Sequence, residues 1–241
     1  MMDKEKIFSK IKHGLIVSCQ SEPPEPLARE DMLTAMAEAA IMGGAVGIRA
    51  NLPHNIAAMR QRIQVPIIGI YKEVYPHYEV FITPTLKEAR AVIRSGCEIL
   101  ALDATSRKRP HGETLDGIVK TLREESDVLL MADISTREEG LRAAELGFDC
   151  IGTTLSGYTD YTLDRNKMGL PDYELILALV NELGSEVPVI AEGRIWTPEQ
   201  AVKALESGAF AVVVGTAITR PWAITERFTQ ALRYYEKTEA S

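Results

Sequence analysis

The sequence of 241 residues has little that would suit a nucleic-acid partner, a disulfide framework or a membrane span. Its formal charge is -7, whereas a phosphate backbone requires a concentrated surface of Lys and Arg. The three cysteines are odd in number and widely spaced, which fits neither a disulfide framework nor a CxxC metal site. No uncharged run approaches the roughly 20 residues that a membrane helix needs.

Residues 1–12 also lack the apolar core of a secretory signal. We therefore expect a cytoplasmic protein that has neither nucleic acid nor membrane among its partners. The sequence also offers no Gly-x-Gly-x-x-Gly after an apolar run, which argues against a dinucleotide-binding fold. Its four histidines show no HxH or HExxH spacing, so we expect no metal.

What is present is a repeat, in which a helical stretch ends at a glycine and a short apolar run follows. The closing glycines are Gly44, Gly96, Gly147 and Gly208, separated by 52, 51 and 61 residues. Each interval has room for two strand-helix units, so the repeat predicts eight units. Each glycine is suited to end its helix in the left-handed conformation.

Eight short apolar runs are typical of parallel strands that are covered on both faces. They lie at 15–19, 46–48, 67–71, 99–102, 128–132, 150–151, 187–191 and 211–214. Helical stretches with one apolar face alternate with them, which indicates a parallel α/β sheet. At this length we expect closure into one domain over residues 1–241, a (β/α)8 TIM barrel of the ribulose-phosphate-binding type.

The active site of such a barrel lies at the carboxyl ends of its strands. The residues that follow the predicted strands are mainly polar: Gln20, Arg49, Lys72, Asp103, Asp133, Thr153 or Thr154, Glu192, and Gly215 with Thr216. Charges of both signs converging on one mouth would be costly without water, mutual pairing or a charged ligand.

Lys72 is the strongest catalytic candidate among these residues. A lysine at the mouth of a barrel can act as a base or as a Schiff-base nucleophile. The alternative is a solvated lysine that opens the following loop. Asp103 and Asp133 suit sugar hydroxyls or the orientation of Lys72 better than they suit a metal, and Gln20 and Arg49 suit an acyl group or a hydroxyl.

Glu192 leads directly into Gly193 and Arg194, and the eighth run leads into Gly215 and Thr216. Barrels bind phosphate after strands 7 and 8, where glycine permits close approach of the backbone and arginine supplies a cation. The alternative is that Glu192 and Arg194 pair with each other. The long polar loop 155–171, which contains Tyr158, suits either a cover over a sugar or a structural or subunit contact.

Taken together, these segments resemble the bacterial N-acylmannosamine-6-phosphate 2-epimerases of sialic-acid catabolism over nearly the whole chain. The matching motifs are GLIVSCQ from Gly14, GIRA from Gly47, IGIYK ending at Lys72, ITPT from Ile82, LDAT from Leu102, MADIS from Met131, GTTLSGY ending at Tyr158, AEGR from Ala191 and VGTAITRP from Val214. Single motifs occur in many barrels, but the set in this order is specific.

The resemblance implies that C2 of N-acetylmannosamine 6-phosphate is epimerised to give N-acetylglucosamine 6-phosphate. It further implies a homodimer that needs no metal or nucleotide cofactor. Lys72 would be the catalytic base and Glu192 its partner, with Gln20, Arg49, Asp133 and Arg220 lining the site. We expect Thr153 and Tyr158 to bind the substrate as well.

Two other functions fit the same residues. A sugar-phosphate aldolase or lyase would use Lys72 to form a Schiff base on a similar barrel. A barrel that only binds a phosphorylated sugar is the third interpretation, because a fold does not guarantee activity.

Overall fold

The computed structural model describes residues 3–166 and 168–239, and within them eight parallel strands close into a barrel in sequence order. The strands are β1 Leu15–Cys19, β2 Gly47–Asn51, β3 Ile67–Ile70, β4 Ile99–Asp103, β5 Leu129–Asp133, β6 Cys150–Gly152, β7 Val189–Glu192 and β8 Ala211–Val214. Pairing of β1 with β8 closes the barrel, with Leu15 beside Val212. Each predicted run overlaps its strand, so the predicted (β/α)8 barrel is confirmed.

Helices alternate with these strands, and most of them cover the outside of the barrel. They are α1 Lys4–Ile11, α2 Glu30–Met42, α3 Pro53–Arg62, α4 Leu86–Arg94, α5 Leu115–Glu125, α6 Arg137–Glu145, α7 Tyr173–Leu183, α8 Pro198–Glu206, α9 Thr216–Thr219 and α10 Pro221–Glu239. No helix within the described ranges is both long enough and apolar enough to cross a membrane.

The conformations at the helix ends account for the repeat seen in the sequence. Gly44, Gly96, Gly147 and Gly208 all have φ between 86° and 99°, which confirms the predicted left-handed C-caps. At the other end, Thr136 begins α6 with a reciprocal capping box, in which its hydroxyl and the Glu139 side chain each accept a backbone N–H. Local chemistry therefore fixes where these helices start and stop.

The amino-terminal end of the barrel is closed by α1. Ile7, Phe8 and Ile11 of this helix are buried among the interior strand residues. The Phe8 ring packs edge-on against Phe210, just before β8, with ring centres 5.8 Å apart. The opposite end, where the strands terminate, is therefore the open end of the barrel.

Candidate active site

A cavity of about 490 Å³ lies at the carboxyl ends of the strands. Its wall contains most of the predicted site residues, namely Gln20, Arg49, Lys72, Tyr158, Glu192, Gly193, Arg194, Gly215, Thr216 and Arg220. Asp133 and Thr153 lie behind this wall and are buried. Within the described ranges, no group of three or more His, Cys, Asp and Glu is arranged to hold a metal ion.

Three charged side chains from different strands form a cluster at the cavity, with Arg49 and Glu192 in its wall and Asp133 behind them. Arg49 donates from one terminal nitrogen to Asp133 Oδ1 at 3.1 Å and from the other to Asp133 Oδ2. The first nitrogen is also 3.0 Å from Glu192 Oε2. Because Arg49 and Asp133 are almost entirely buried, this pairing is what makes their charges tolerable. The Nε atom of Arg49 has no hydrogen-bond partner among the described residues.

Glu192 is placed to exchange a proton near neutral pH. Burial raises the pKa of Glu192 to about 7, with the Asp133 carboxylate acting in the same direction and the Arg49 cation opposing both. Arg49 behaves differently: burial disfavours its cation, but the Asp133 and Glu192 carboxylates outweigh burial, so its pKa is raised. The cluster therefore combines a permanent cation with a carboxyl group suited to general acid-base catalysis.

The two threonines after β6 have separate tasks, which the sequence could not distinguish. Thr154 lines the cavity, and its hydroxyl lies 2.7 Å from Asp133 Oδ1 and 3.1 Å from Glu192 Oε2. The Thr153 hydroxyl instead accepts from Glu192 N at 3.0 Å and donates to Glu192 O at 2.9 Å. The cavity wall thus holds Thr154, and Thr153 fixes the main chain of Glu192.

Lys72 follows β3 at the cavity rim. Its amine is 2.9 Å from Glu22 Oε1, and its backbone N–H donates to Asn51 Oδ1 at 2.9 Å. Sequence reasoning missed both partners. Glu22 lies in a loop without a motif, and Asn51 could have been found only by extending the second strand three residues beyond Ile48.

Asp103 does not orient Lys72. This buried carboxylate accepts from Arg107 at 2.7 Å and from the hydroxyl of Thr105 at 2.7 Å. Burial raises the pKa of Asp103, and the nearby Arg107 cation opposes that shift. Asp103 is not among the residues that line the cavity.

Arg194 is tied to the loop 155–171. Its Nε donates to Leu170 O at 2.6 Å, and a terminal nitrogen donates to Ser156 O. The guanidinium also lies 5.5 Å from the ring centre of Tyr158. Glu192 pairs with Arg49, so the alternative pairing of Glu192 with Arg194 is not what the structure shows. Arg194 therefore holds Tyr158 and its loop against the cavity.

The remaining predicted residues close the cavity beside β1 and β8. Arg220 donates to Gln20 O at 3.3 Å and lies 3.4 Å from a Glu25 carboxylate oxygen. The Gln20 amide donates to Ser18 Oγ at 2.7 Å. Gly193, with φ of 112°, adopts a conformation that L side chains rarely reach, and it lines the cavity.

Fold and site together define a (β/α)8 barrel with the charged groups of an acid-base enzyme at its carboxyl end. Residues 33–234 match the family described as "Putative N-acetylmannosamine-6-phosphate epimerase". The chain belongs to this family, which confirms the resemblance seen in the sequence.

Similar proteins cover nearly the whole chain. A relative from Caldanaerobacter subterraneus subsp. tengcongensis is 51% identical over 94% of each chain, and one from Listeria welshimeri is 49% identical over 94% of this chain and 95% of its own. Both are named "Putative N-acetylmannosamine-6-phosphate 2-epimerase". The solved N-acetylmannosamine-6-phosphate 2-epimerase of Clostridium perfringens is 47% identical, with a TM-score of 0.88 over 93% of this chain and 95% of that one.

Proposed function

We propose that the chain is an isomerase that converts N-acetylmannosamine 6-phosphate into N-acetylglucosamine 6-phosphate by inverting C2. The observation that carries this proposal is that Lys72 and Glu192 line one cavity of a barrel belonging to the epimerase family. The names of the relatives and of the Clostridium perfringens enzyme supply the substrate.

The chemistry requires groups that remove and return a proton at one carbon. In the open-chain sugar, C2 lies next to the aldehyde, so its proton is acidic enough for a positioned base. Lys72 removes this proton, and the resulting enolate is reprotonated by Lys72 or Glu192. The buried Arg49 cation stabilises the negative charge that develops on oxygen. The step needs no cofactor, because the aldehyde itself supplies the acidity.

The phosphate binds beside Gly193, Arg194, Gly215 and Thr216. The carboxyl ends of strands 7 and 8 are where barrels of this kind hold phosphate. The glycine backbones permit close approach, and Arg194 adds positive charge while it holds the loop. Gln20, Tyr158 and Arg220 contact the rest of the sugar from the cavity wall, and Asp133 and Thr153 act indirectly through Arg49 and Glu192.

The chain also forms a homodimer through α10, as part of the same proposal. Every residue from 225 to 235 is exposed, including the large apolar side chains of Phe228 and Leu232. An exposed apolar helix face of this kind is typical of an interface.

The whole chain works as one barrel domain in the cytoplasm, where buried thiols such as Cys97 remain reduced. Its substrate is a small molecule, with neither nucleic acid nor membrane as a partner.

The decisive experiment follows hydrogen at C2. Purified protein is incubated with N-acetylmannosamine 6-phosphate in D2O, and NMR measures both products and deuterium at C2. We expect N-acetylglucosamine 6-phosphate with deuterium at C2, and no incorporation by Lys72→Ala. Bound sugar without exchange would indicate a binding barrel. A covalent adduct after borohydride treatment would indicate a Schiff-base aldolase or lyase.

A further inference from the structure

The catalytic lysine of the proposed function is held by two residues that are not among those lining the cavity. Asn51, the last residue of β2, is buried, and its side-chain amide both accepts and donates a hydrogen bond. Its Oδ1 accepts from Lys72 N at 2.9 Å, and its Nδ2 donates to Glu22 Oε1 at 3.1 Å. The same Glu22 oxygen lies 2.9 Å from the Lys72 amine.

One amide therefore fixes both ends of the lysine, its backbone directly and its amine through Glu22. Lysine carries its amine on a flexible four-carbon stem that has about 2 kcal/mol of rotamer entropy. A base must be held close to the proton that it removes, and a misplacement of about 1 Å can cost up to roughly 100-fold in rate. Two contacts at the ends of the stem restrict the positions that the amine can reach.

We infer that Glu22 and Asn51 are positioning residues for Lys72, and we call the three residues the lysine clamp. This inference rests on the proposed function, because it presupposes that Lys72 is the base. Neither Glu22 nor Asn51 is among the residues that line the cavity, so the clamp acts on the turnover step and leaves substrate binding unchanged.

The amide of Asn51 cannot be replaced by a carboxylate. Aspartate could still accept from Lys72 N, but it could not donate to Glu22, and two carboxylates would then face each other. Glutamine at position 22 differs, because its amide oxygen can accept from both Asn51 and Lys72. The clamp therefore predicts that Asn51→Asp and Glu22→Ala impair turnover and that Glu22→Gln largely rescues it.

The chain provides a matched control for the change at Glu22. Glu38 forms a 2.9 Å ion pair with Arg62 far from the clamp, and its side chain is 34% exposed against 42% for Glu22. Asn55 is as buried as Asn51, but its amide donates to Asn51 O at 3.0 Å, so a change at Asn55 would itself disturb the clamp. For Asn51→Asp, a thermal melt of the variant checks that the buried carboxylate leaves the chain folded.

The test measures kcat and KM of the full chain with N-acetylmannosamine 6-phosphate. We expect Glu22→Ala and Asn51→Asp each to lower kcat about tenfold with KM within about twofold, a size typical of a displaced catalytic group. The double variant should lose no more than the worse single variant, because both changes release the same amine. Glu22→Gln and Glu38→Ala should stay within about threefold of the unmodified protein.

Three outcomes would overturn the inference: kcat values of Glu22→Ala and Asn51→Asp that match that of Glu38→Ala, losses that multiply in the double variant, or an effect on KM alone. Lys72→Ala separates this failure from that of the proposed function. If Lys72→Ala is inactive while the clamp variants are fully active, only the clamp is wrong. If Lys72→Ala keeps its activity, Lys72 is not the base, and the proposed mechanism fails with the clamp.

Discussion

The two ends of the barrel differ in how they use buried residues. At the amino-terminal end, Phe8 and Ile11 of α1 pack against interior apolar side chains, so the residues buried inside this end are apolar. At the carboxyl end, Arg49, Asp133 and Glu192 place three ionisable groups in or beside the cavity. Apolar packing stabilises a fold, whereas buried charge usually costs stability and is typical of functional sites. The amino-terminal end of the barrel therefore stabilises the fold, and the carboxyl end carries the groups for catalysis.

The variant Arg49→Met tests whether this division is complete, and it has the largest expected effect. Methionine fills similar space but leaves the buried Asp133 carboxylate without its cation, which should cost roughly 3–5 kcal/mol of unfolding free energy. Activity should be lost as well. Urea denaturation provides the measurement, and Arg62→Met, at an exposed ion pair, provides the control, with an expected cost below about 1 kcal/mol. A small effect at Arg49 would mean that the cluster is solvated.

The variant Lys72→Ala should sharpen the comparison, because it affects chemistry alone. Removal of a general base lowers turnover by roughly 10²–10⁴-fold. The partly exposed pair with Glu22 contributes at most about 1 kcal/mol to stability, so the melting temperature should change little. Steady-state kinetics check the loss of turnover, and a thermal melt of the same preparation checks the melting temperature. A large drop in melting temperature would contradict the assignment of Lys72 to the functional end.

For Phe8→Ala, at the amino-terminal end of the barrel, we expect the opposite result: stability falls and turnover is kept. Truncating a buried phenylalanine should cost roughly 3 kcal/mol of unfolding free energy, through lost transfer energy and a residual cavity. The kcat of the folded variant should stay within about twofold, because α1 lies at the end opposite the active site. A kcat that falls while the protein remains folded would show that the two ends are coupled.

The pH dependence of stability gives the smallest effect and tests the charge cluster directly. The pKa of Glu192, about 7, lies above its ordinary value of 4.5, so its stabilising contribution is complete below about pH 4.5 and is lost as the pH rises through 7. Relative to Glu192→Gln, the protein should lose at most roughly 3 kcal/mol between pH 4.5 and pH 8.

Denaturation curves of the protein and of Glu192→Gln at several pH values give this difference, because groups common to both cancel. A difference that does not change with pH would mean that folding leaves the pKa of Glu192 at its ordinary value. A difference that grows in the opposite direction would mean that the Arg49 cation outweighs burial.

Much of this architecture was predictable, because its signals are local in sequence. Glycines such as Gly147 end helices by a conformation that few other residues adopt, and short apolar runs mark strands that are buried on both faces. The strand ends then point to Lys72, Arg49 and Glu192 without any knowledge of the fold beyond its closure.

The contacts between loops were not predictable in this way. Whether Thr153 or Thr154 faces the cavity depends on the direction of the backbone just past β6, where strand alternation no longer applies. Arg194 turns towards Ser156 and Leu170, which lie 38 and 24 residues away in sequence. Glu22 reaches Lys72 across 50 residues. No periodicity carries such information, because these partners are selected only by the folded chain.

The hydroxyl of Thr154, which lies between Asp133 and Glu192, has one hydrogen to give and two carboxyl groups within reach. When Glu192 carries its proton, it can donate to the Thr154 oxygen, and Thr154 then donates to Asp133. When Glu192 is ionised, the Thr154 hydroxyl can donate to only one of the two carboxylates, and the other carboxylate is then bound by Arg49 alone. The direction of this short chain of hydrogen bonds therefore records whether the cavity has just gained or released a proton.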